Sequence, residues 1–166
     1  MKTEYHKVVL DILTLLRQGE YWFETFEHEP VRTSEEAAKI RGDYSLKQGA
    51  KTIIVRVKKA EGEKEFVMLV LPGNKRFDNF KVKKILGAKD IRFASEEEVS
   101  DLTDGVKVGG VPPFGNLFNM KAVVDETLFK NEKIVFNAGD RSFSIAMKSK
   151  DYRELAKPAV SSIIEK

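Results

Sequence analysis

The chain has 166 residues, of which 42% are hydrophobic and 33% charged. This length and balance suit one compact domain that can bury its own core. It has no cysteine and two histidines, His6 and His28, which excludes disulfides, thiolate metal sites and a cysteine nucleophile and leaves too few ligands for a structural zinc cluster.

Lysine and arginine exceed aspartate and glutamate by 29 to 26, a net charge of +3 that permits an anionic partner without demanding one. No apolar run approaches the roughly 20 residues needed to cross a bilayer. The N-terminal stretch carries acids and lacks a small-residue cleavage site, so it reads poorly as a signal peptide. The expected location is the cytoplasm, with no membrane partner.

Residues 4–18 predict an amphipathic helix. Tyr5, Val8, Val9, Ile12, Leu13 and Leu16 recur at spacings of three and four and form one face. Arg17 falls in its last turn, and Gly19 is expected to supply a left-handed C-cap. The aromatic run Tyr21–Phe26 reads as a strand, and His28-Glu29-Pro30 as a connection, because the residue before proline resists helical geometry. Thr33 and Glu36 form the capping box of a short helix that carries Ala37, Ala38 and Ile40 and stops at Gly42.

Gly49-Ala50-Lys51 leads into a strand over Thr52–Val57. Ala60–Glu63 is turn chemistry, and Phe66–Leu71 is the returning strand of a hairpin that Pro72-Gly73 breaks. Phe77, Phe80, Val82, Ile85 and Leu86 suggest a helix ending at Gly87, followed by a short strand over Asp90–Phe93. Ser95 and Glu98 make a second capping box, whose helix stops at Gly105. Gly109–Gly115, with two adjacent glycines and two adjacent prolines, fits neither helix nor central strand. Three strand-like runs follow, Lys121–Val124, Lys133–Phe136 and Ser142–Met147. Ser149 is expected to cap a last helix through Leu155, ended by Pro158. With no repeat, linker or low-complexity tract, the whole span 1–166 reads as a single domain with the N-terminal helix packed on it. The tight hairpin argues against a purely parallel sheet, so the expected fold is α+β with a mixed, mostly antiparallel sheet.

Four places invite chemistry, each beside a plainer reading. In the Gly109–Gly115 loop, free backbone torsions would let successive N–H groups converge on an oxyanion, with Pro112 and Pro113 stiffening the exit; composition alone favours a surface turn. Lys51 could present a point charge to a phosphate or ribose oxygen from the mouth of an apolar strand, or be a solvated strand-end lysine. Thr52 beside it offers a hydroxyl or simply favours the strand. His28 could act as a base or stand exposed ahead of Pro30. Arg141, in Gly139-Asp140-Arg141-Ser142, could touch a phosphate or belong to a hairpin turn. There is no GxSxG elbow, Walker loop or GxGxxG run, and no pair of carboxylates stands out as a glycosidase couple.

Together these pieces resemble the YbaK / prolyl-tRNA-synthetase-associated editing family over about Phe26 to Leu155. The resemblance is carried by His28 through Ala38, by Gly49-Ala50-Lys51 at a strand start, by Gly109 through Pro113 as the family's GxxxP loop with Phe114-Gly115 after it, and by Gly139 with the strand Ser142–Met147. It implies a barrel-like sheet flanked by helices and a hydrolase that removes a wrong amino acid from tRNA in trans, with no cofactor and no metal. The lysine matching Lys51 would hold the terminal adenosine or its phosphate. The loop matching Gly109, Gly110, Val111, Pro112, Pro113 and Phe114 would surround the aminoacyl group and offer donors to the ester carbonyl. His28, Thr52, Gly139 and Arg141 would complete the substrate site. The resemblance also implies that no protein nucleophile is used and that a substrate hydroxyl or an ordered water assists the attack. Alanine, serine, threonine and cysteine are all removed by one branch or another. The histidine of the synthetase-inserted branch is missing from Ala138-Gly139-Asp140-Arg141. The implied partners are the acceptor end of mischarged tRNA and, as an option, an aminoacyl-tRNA synthetase, with no DNA expected. Two other readings compete: a non-catalytic tRNA- or nucleotide-binding module associated with a synthetase, and a hydrolase of small esters that ignores RNA.

Overall fold

The computed structural model describes residues 4–30, 42 and 44–166. The helix expected from the Thr33/Glu36 capping box lies outside the described residues. Helix α1 (Lys7–Gln18) buries Val8, Val9, Ile12, Leu13 and Leu16, the stripe its spacing predicts. His6 caps it: Nδ1 accepts the Val8 N–H at 3.1 Å, so Nε2 carries the proton and donates to the Asp104 carbonyl at 2.7 Å. Gly19 is not the left-handed cap. Its φ is −85°, and Glu20 at φ 55° makes the turn. Glycine is required at 19 because a Cβ there would lie 2.2 Å from the Tyr21 ring.

The strands form two sheets. In the first, β1 (Phe23–Glu27), β7 (Phe143–Lys148) and β6 (Lys133–Asp140) pair antiparallel in that order. The second runs β4 (Ala88–Phe93), β2 (Ala50–Lys59), β3 (Lys64–Pro72), β5 (Lys121–Asp125) and β8 (Ala159–Ser161). Here β4, β2 and β3 are antiparallel neighbours, while β3–β5 and β5–β8 are parallel. The mixed, mostly antiparallel α+β arrangement is present as expected. It is divided between two sheets that a Gly49–Val135 bridge connects, and the barrel is not closed.

Alternation in β2 and β3 serves two cores. Ile54, Met68 and Val70 face a large core shared with α1, with Ile134, Phe136 and Ala138 of β6, and with Ile145 and Met147 of β7. Val55, Val57, Val67, Leu69 and Leu71 face the opposite side, under Val82 and Leu86 of α2 (Asn79–Leu86) and against Ile163. Being buried on both faces, β3 reads as the continuous apolar run Val67–Leu71. Helix α2 stops at Gly87 in the left-handed conformation, and α3 (Glu96–Thr103) starts at the expected Ser95/Glu98 capping box and turns out through Asp104, φ 57°.

Helix α4 (Ser149–Ala156) begins at its expected cap residue, so the cap falls one residue earlier, on Lys148. Ser149 lies inside the helix, and its hydroxyl donates to the Asn131 carbonyl at 2.5 Å. Strand β8 has no warning in the sequence beyond Pro158. Its far end is pinned by Asp125, a fully buried carboxylate that accepts the Ile163 N–H at 2.9 Å and the Thr127 N–H at 3.0 Å. No described helix is long and apolar enough to cross a membrane.

Candidate functional site

The edge of β2 is only half covered. β4 pairs with it from Lys59 back to Val55, opposite Phe93, and the last bond is Ala94 N–H to the Ile54 carbonyl at 2.9 Å. The chain then turns away at Ser95 into α3, while β2 continues back to Ala50. Alternate residues of an antiparallel strand bond to the same neighbour. Thr52 therefore points its backbone N–H and C=O to the same side as Ile54, beyond the end of β4.

A cleft of about 160 Å³ fills this gap. Its floor is Thr52, Ile53 and Ile54, one wall is Phe93, and the other is Val99 with Val108, Gly109 and Val111 of the glycine–proline loop. The Thr52 Oγ1 is buried, with no hydrogen-bond partner among the described residues. That is a costly state for a hydroxyl unless a ligand or water satisfies it. Among the described residues, neither the Gly109 nor the Val111 N–H finds a protein acceptor, while Gly110 N–H donates to Lys107 O at 2.8 Å. Among the described residues, no titratable side chain lines the cleft.

The loop is fixed from behind. Gly109 has φ 90°, a conformation that favours glycine. Its carbonyl accepts from Asn137 Nδ2 at 2.7 Å. The Tyr152 hydroxyl donates to the Pro113 carbonyl at 2.6 Å, and Phe114 is buried edge-on to Phe136 and Tyr152. Burial pushes the Tyr152 phenol above its ordinary range, so it remains a donor. Gly110 backs onto a second hollow of about 300 Å³, lined by His6, Pro30, Lys107, Gly139, Asp140 and Arg141. The loop is thus a partition between the two.

The residues expected to act together are therefore spread out. Thr52, Gly109 and Val111 share the cleft, whereas Gly110, Gly139 and Arg141 share the hollow behind it. Lys51 does not line the cleft. It pairs with Leu71 on the opposite face of the sheet from Thr52, and its ammonium donates to the Lys75 carbonyl at 2.5 Å. Lys51 and the loop flank the edge of β2 from opposite faces, because neighbouring strand residues point apart.

Pro112, Pro113 and Phe114 are buried and are not among the residues that line the cleft. Gly139, φ 121°, is where β6 meets α1; a Cβ there would lie 2.2 Å from Val8 Cγ1. His28 directly follows β1 beside the first sheet, with Nε2 at 2.8 Å from Ser144 Oγ and Nδ1 at 2.9 Å from the Glu29 carbonyl. It reaches the loop only indirectly, since Ser144 Oγ donates to Asn137 Oδ1 at 3.1 Å and Asn137 holds Gly109. Phe93, Val99, Val108 and Asn137 went unmarked in the sequence. The one local signal was an aromatic residue closing a strand just before a helix cap. Among the described residues, no three histidine or acidic side chains group to hold a metal.

Residues 28–155 match the family model described as the aminoacyl-tRNA editing domain. The chain is 34% identical over 148 residues to the multifunctional Ser/Thr-tRNA deacylase ProXp-y of Escherichia coli strain K12, covering 89% of this chain and 87% of that protein. It is 30% identical over 129 residues to the proline–tRNA ligase of Aquifex aeolicus, covering 76% of this chain and 22% of that enzyme. A crystal structure of a proposed trans-editing enzyme for prolyl tRNA synthetase superposes with a TM-score of 0.80 at 23% identity, over 98% of this chain and all of that one, which shows the shared fold.

Proposed function

The chain belongs to the aminoacyl-tRNA editing domain family, and from that premise we propose that it hydrolyses mischarged tRNA in trans, releasing a serine or threonine from the terminal ribose. The observation that carries the reading is the small cleft at the uncovered edge of β2, with a hydroxyl on its floor and backbone N–H groups in its wall that have no partner among the described residues.

The chemistry follows from what the cleft holds. A water oxygen adds to the ester carbonyl carbon, and the carbonyl oxygen becomes an oxyanion. The N–H groups of Gly109 and Val111 are the donors we assign to it; removing one such donor typically costs about a hundred- to a thousandfold in rate. The tetrahedral species collapses by breaking the bond to the ribose oxygen, which takes up a proton as the amino acid leaves. Among the described residues no carboxylate or imidazole lines the cleft; in this reading the proton passes from the attacking water to the departing ribose, and the protein contributes position and oxyanion stabilisation.

Lys51 stands outside, on the Lys75 side, where its role is to hold the phosphate or ribose of the terminal nucleotide. At about 160 Å³ the cleft is smaller than the roughly 300–1,000 Å³ of common small-molecule pockets, which favours a small side chain. The Thr52 hydroxyl gives a partner to the hydroxyl of serine or threonine, and the relative in Escherichia coli is named for those two. Alanine and cysteine offer no such group. The whole chain acts as one editing unit in the cytoplasm, where tRNA is charged, with α1 packed into its core. A synthetase is a natural neighbour, since its ligation step generates the substrate.

The test is a panel of seryl-, threonyl-, alanyl- and cysteinyl-tRNA incubated with purified protein. Release of serine and threonine ahead of alanine is expected. No release of any amino acid above background removes the deacylase reading.

A further inference from the structure

The cleft is too small for a nucleoside as well as an aminoacyl group, so the terminal base of the substrate must lie at its mouth. Two exposed apolar side chains stand there, Phe93 at 64% and Val108 at 50% exposure, each lining the cleft. Phe93 is not a loose surface residue. Its ring is held edge-on by Phe77, centroids 5.7 Å apart at 69°, and Phe77 is tied in turn by a bridge to Ile164. One face of the mouth is thus a fixed aromatic plane left open to solvent.

Cations stand on the Phe77 side. Lys75 and Arg76 are exposed and immediately precede Phe77 in the chain, and the Lys51 ammonium lies on the Lys75 carbonyl. An aromatic plane beside lysine and arginine side chains is the arrangement by which proteins hold single-stranded nucleic acid: bases stack and phosphates meet the cations.

Resting on the deacylase reading above, we infer that Phe93 is the stacking platform for the terminal base of the 3′ end. Val108 closes the slot opposite, and the Lys75 and Arg76 side chains take the adjoining phosphates. The aminoacyl ester then descends past Phe93 into the cleft while the base remains outside. The size of the cleft reads the amino acid, and Phe93 fixes the depth to which the ester enters. Base stacking is sequence-tolerant, and the terminal nucleotide is common to all tRNAs, so this contact places any acceptor end without choosing among them.

The experiment compares wild type, Phe93→Ala and Phe93→Trp on mischarged tRNA and on the same substrate lacking its terminal base. Alanine is expected to lower kcat/KM by roughly 5- to 150-fold, the value of one base–aromatic stack, mainly through KM. Tryptophan should keep the activity. The alanine effect should vanish on the abasic substrate, because the two deletions remove one contact. An equal loss on both substrates, or no loss on either, overturns the platform while leaving the deacylase reading standing. Should wild type cleave neither substrate, it is the deacylase reading that fails. The platform is then decided by titrating the trinucleotide CCA: weaker binding to Phe93→Ala sustains it, and equal binding overturns it.

Discussion

Tyr152→Phe isolates one hydrogen bond that fixes the glycine–proline loop. The Tyr152 side chain is fully buried, and its hydroxyl donates to the buried Pro113 carbonyl at 2.6 Å. Its ring sits edge-on to Phe114 at 5.3 Å and stacks on Phe129 at 6.2 Å. Phenylalanine keeps both ring contacts and opens a gap of one oxygen, so cavity cost is small and the lost bond dominates. Leaving a buried carbonyl without its donor costs about 1–3 kcal/mol. With a urea m-value of roughly 1–3 kcal/mol per molar, the unfolding midpoint should fall by about 1 M with m unchanged. The loop loses its rear anchor, so kcat on mischarged tRNA should fall more than KM rises. There is a second signature at high pH. Burial raises this phenol above its ordinary value of 10.0. The unfolded chain then ionises first, and the wild type loses stability as pH climbs through 10.0. The phenylalanine variant lacks that contribution, so its stability should fall less steeply there. A midpoint and kcat both equal to wild type would falsify the anchoring role.

Arg92 and the Ser95 cap hold the Glu98 carboxyl down to about 2; its contribution to α3 is therefore present above the ordinary carboxylate value and fades as pH falls from there toward 2. The gap in melting temperature between wild type and Glu98→Gln should close over that window, and a constant gap would reject the pairing. Gly139→Ala forces a Cβ to 2.2 Å from Val8 at φ 121° and should destabilise by about 2–4 kcal/mol, partly restored by Val8→Ala. Lost activity with an unchanged melting temperature would instead mean that Gly139 touches substrate. Thr52→Val should slow seryl- and threonyl-tRNA hydrolysis about tenfold, the worth of one buried hydrogen bond, and leave alanyl-tRNA unaffected. Equal losses on all three would show that the hydroxyl does not read the side chain.

The elements legible in the sequence are those whose cause is local. The stripe of α1, the Ser95/Glu98 box, the hairpin of β2 and β3 and the stop at Gly87 each need only a few neighbouring residues, and each appears at its expected place. Ser149 departs from its expected role because a distant partner overrides the local rule, the Asn131 carbonyl taking its hydroxyl, while the glycine at 19 answers to the neighbouring Tyr21 ring, which leaves no room for a side chain there. The same logic governs the site. Lys51, Thr52 and the Gly109–Val111 loop are visible as residues, but the cleft exists because β4 has six residues where β2 has ten, and stops opposite Val55. Strand length fixes an opening only after register is set, and register is a property of the paired sheet. One consequence separates the two sides of that opening. The loop wall depends on Tyr152 and Asn137, which belong to the first sheet and its following helix, while Phe93 and Lys51 depend on Phe77 and Lys75. Perturbing the loop should therefore alter the bond-breaking step, and perturbing the Phe77 side should alter how the acceptor end is held, so the two classes of variant should combine additively unless the substrate itself couples them.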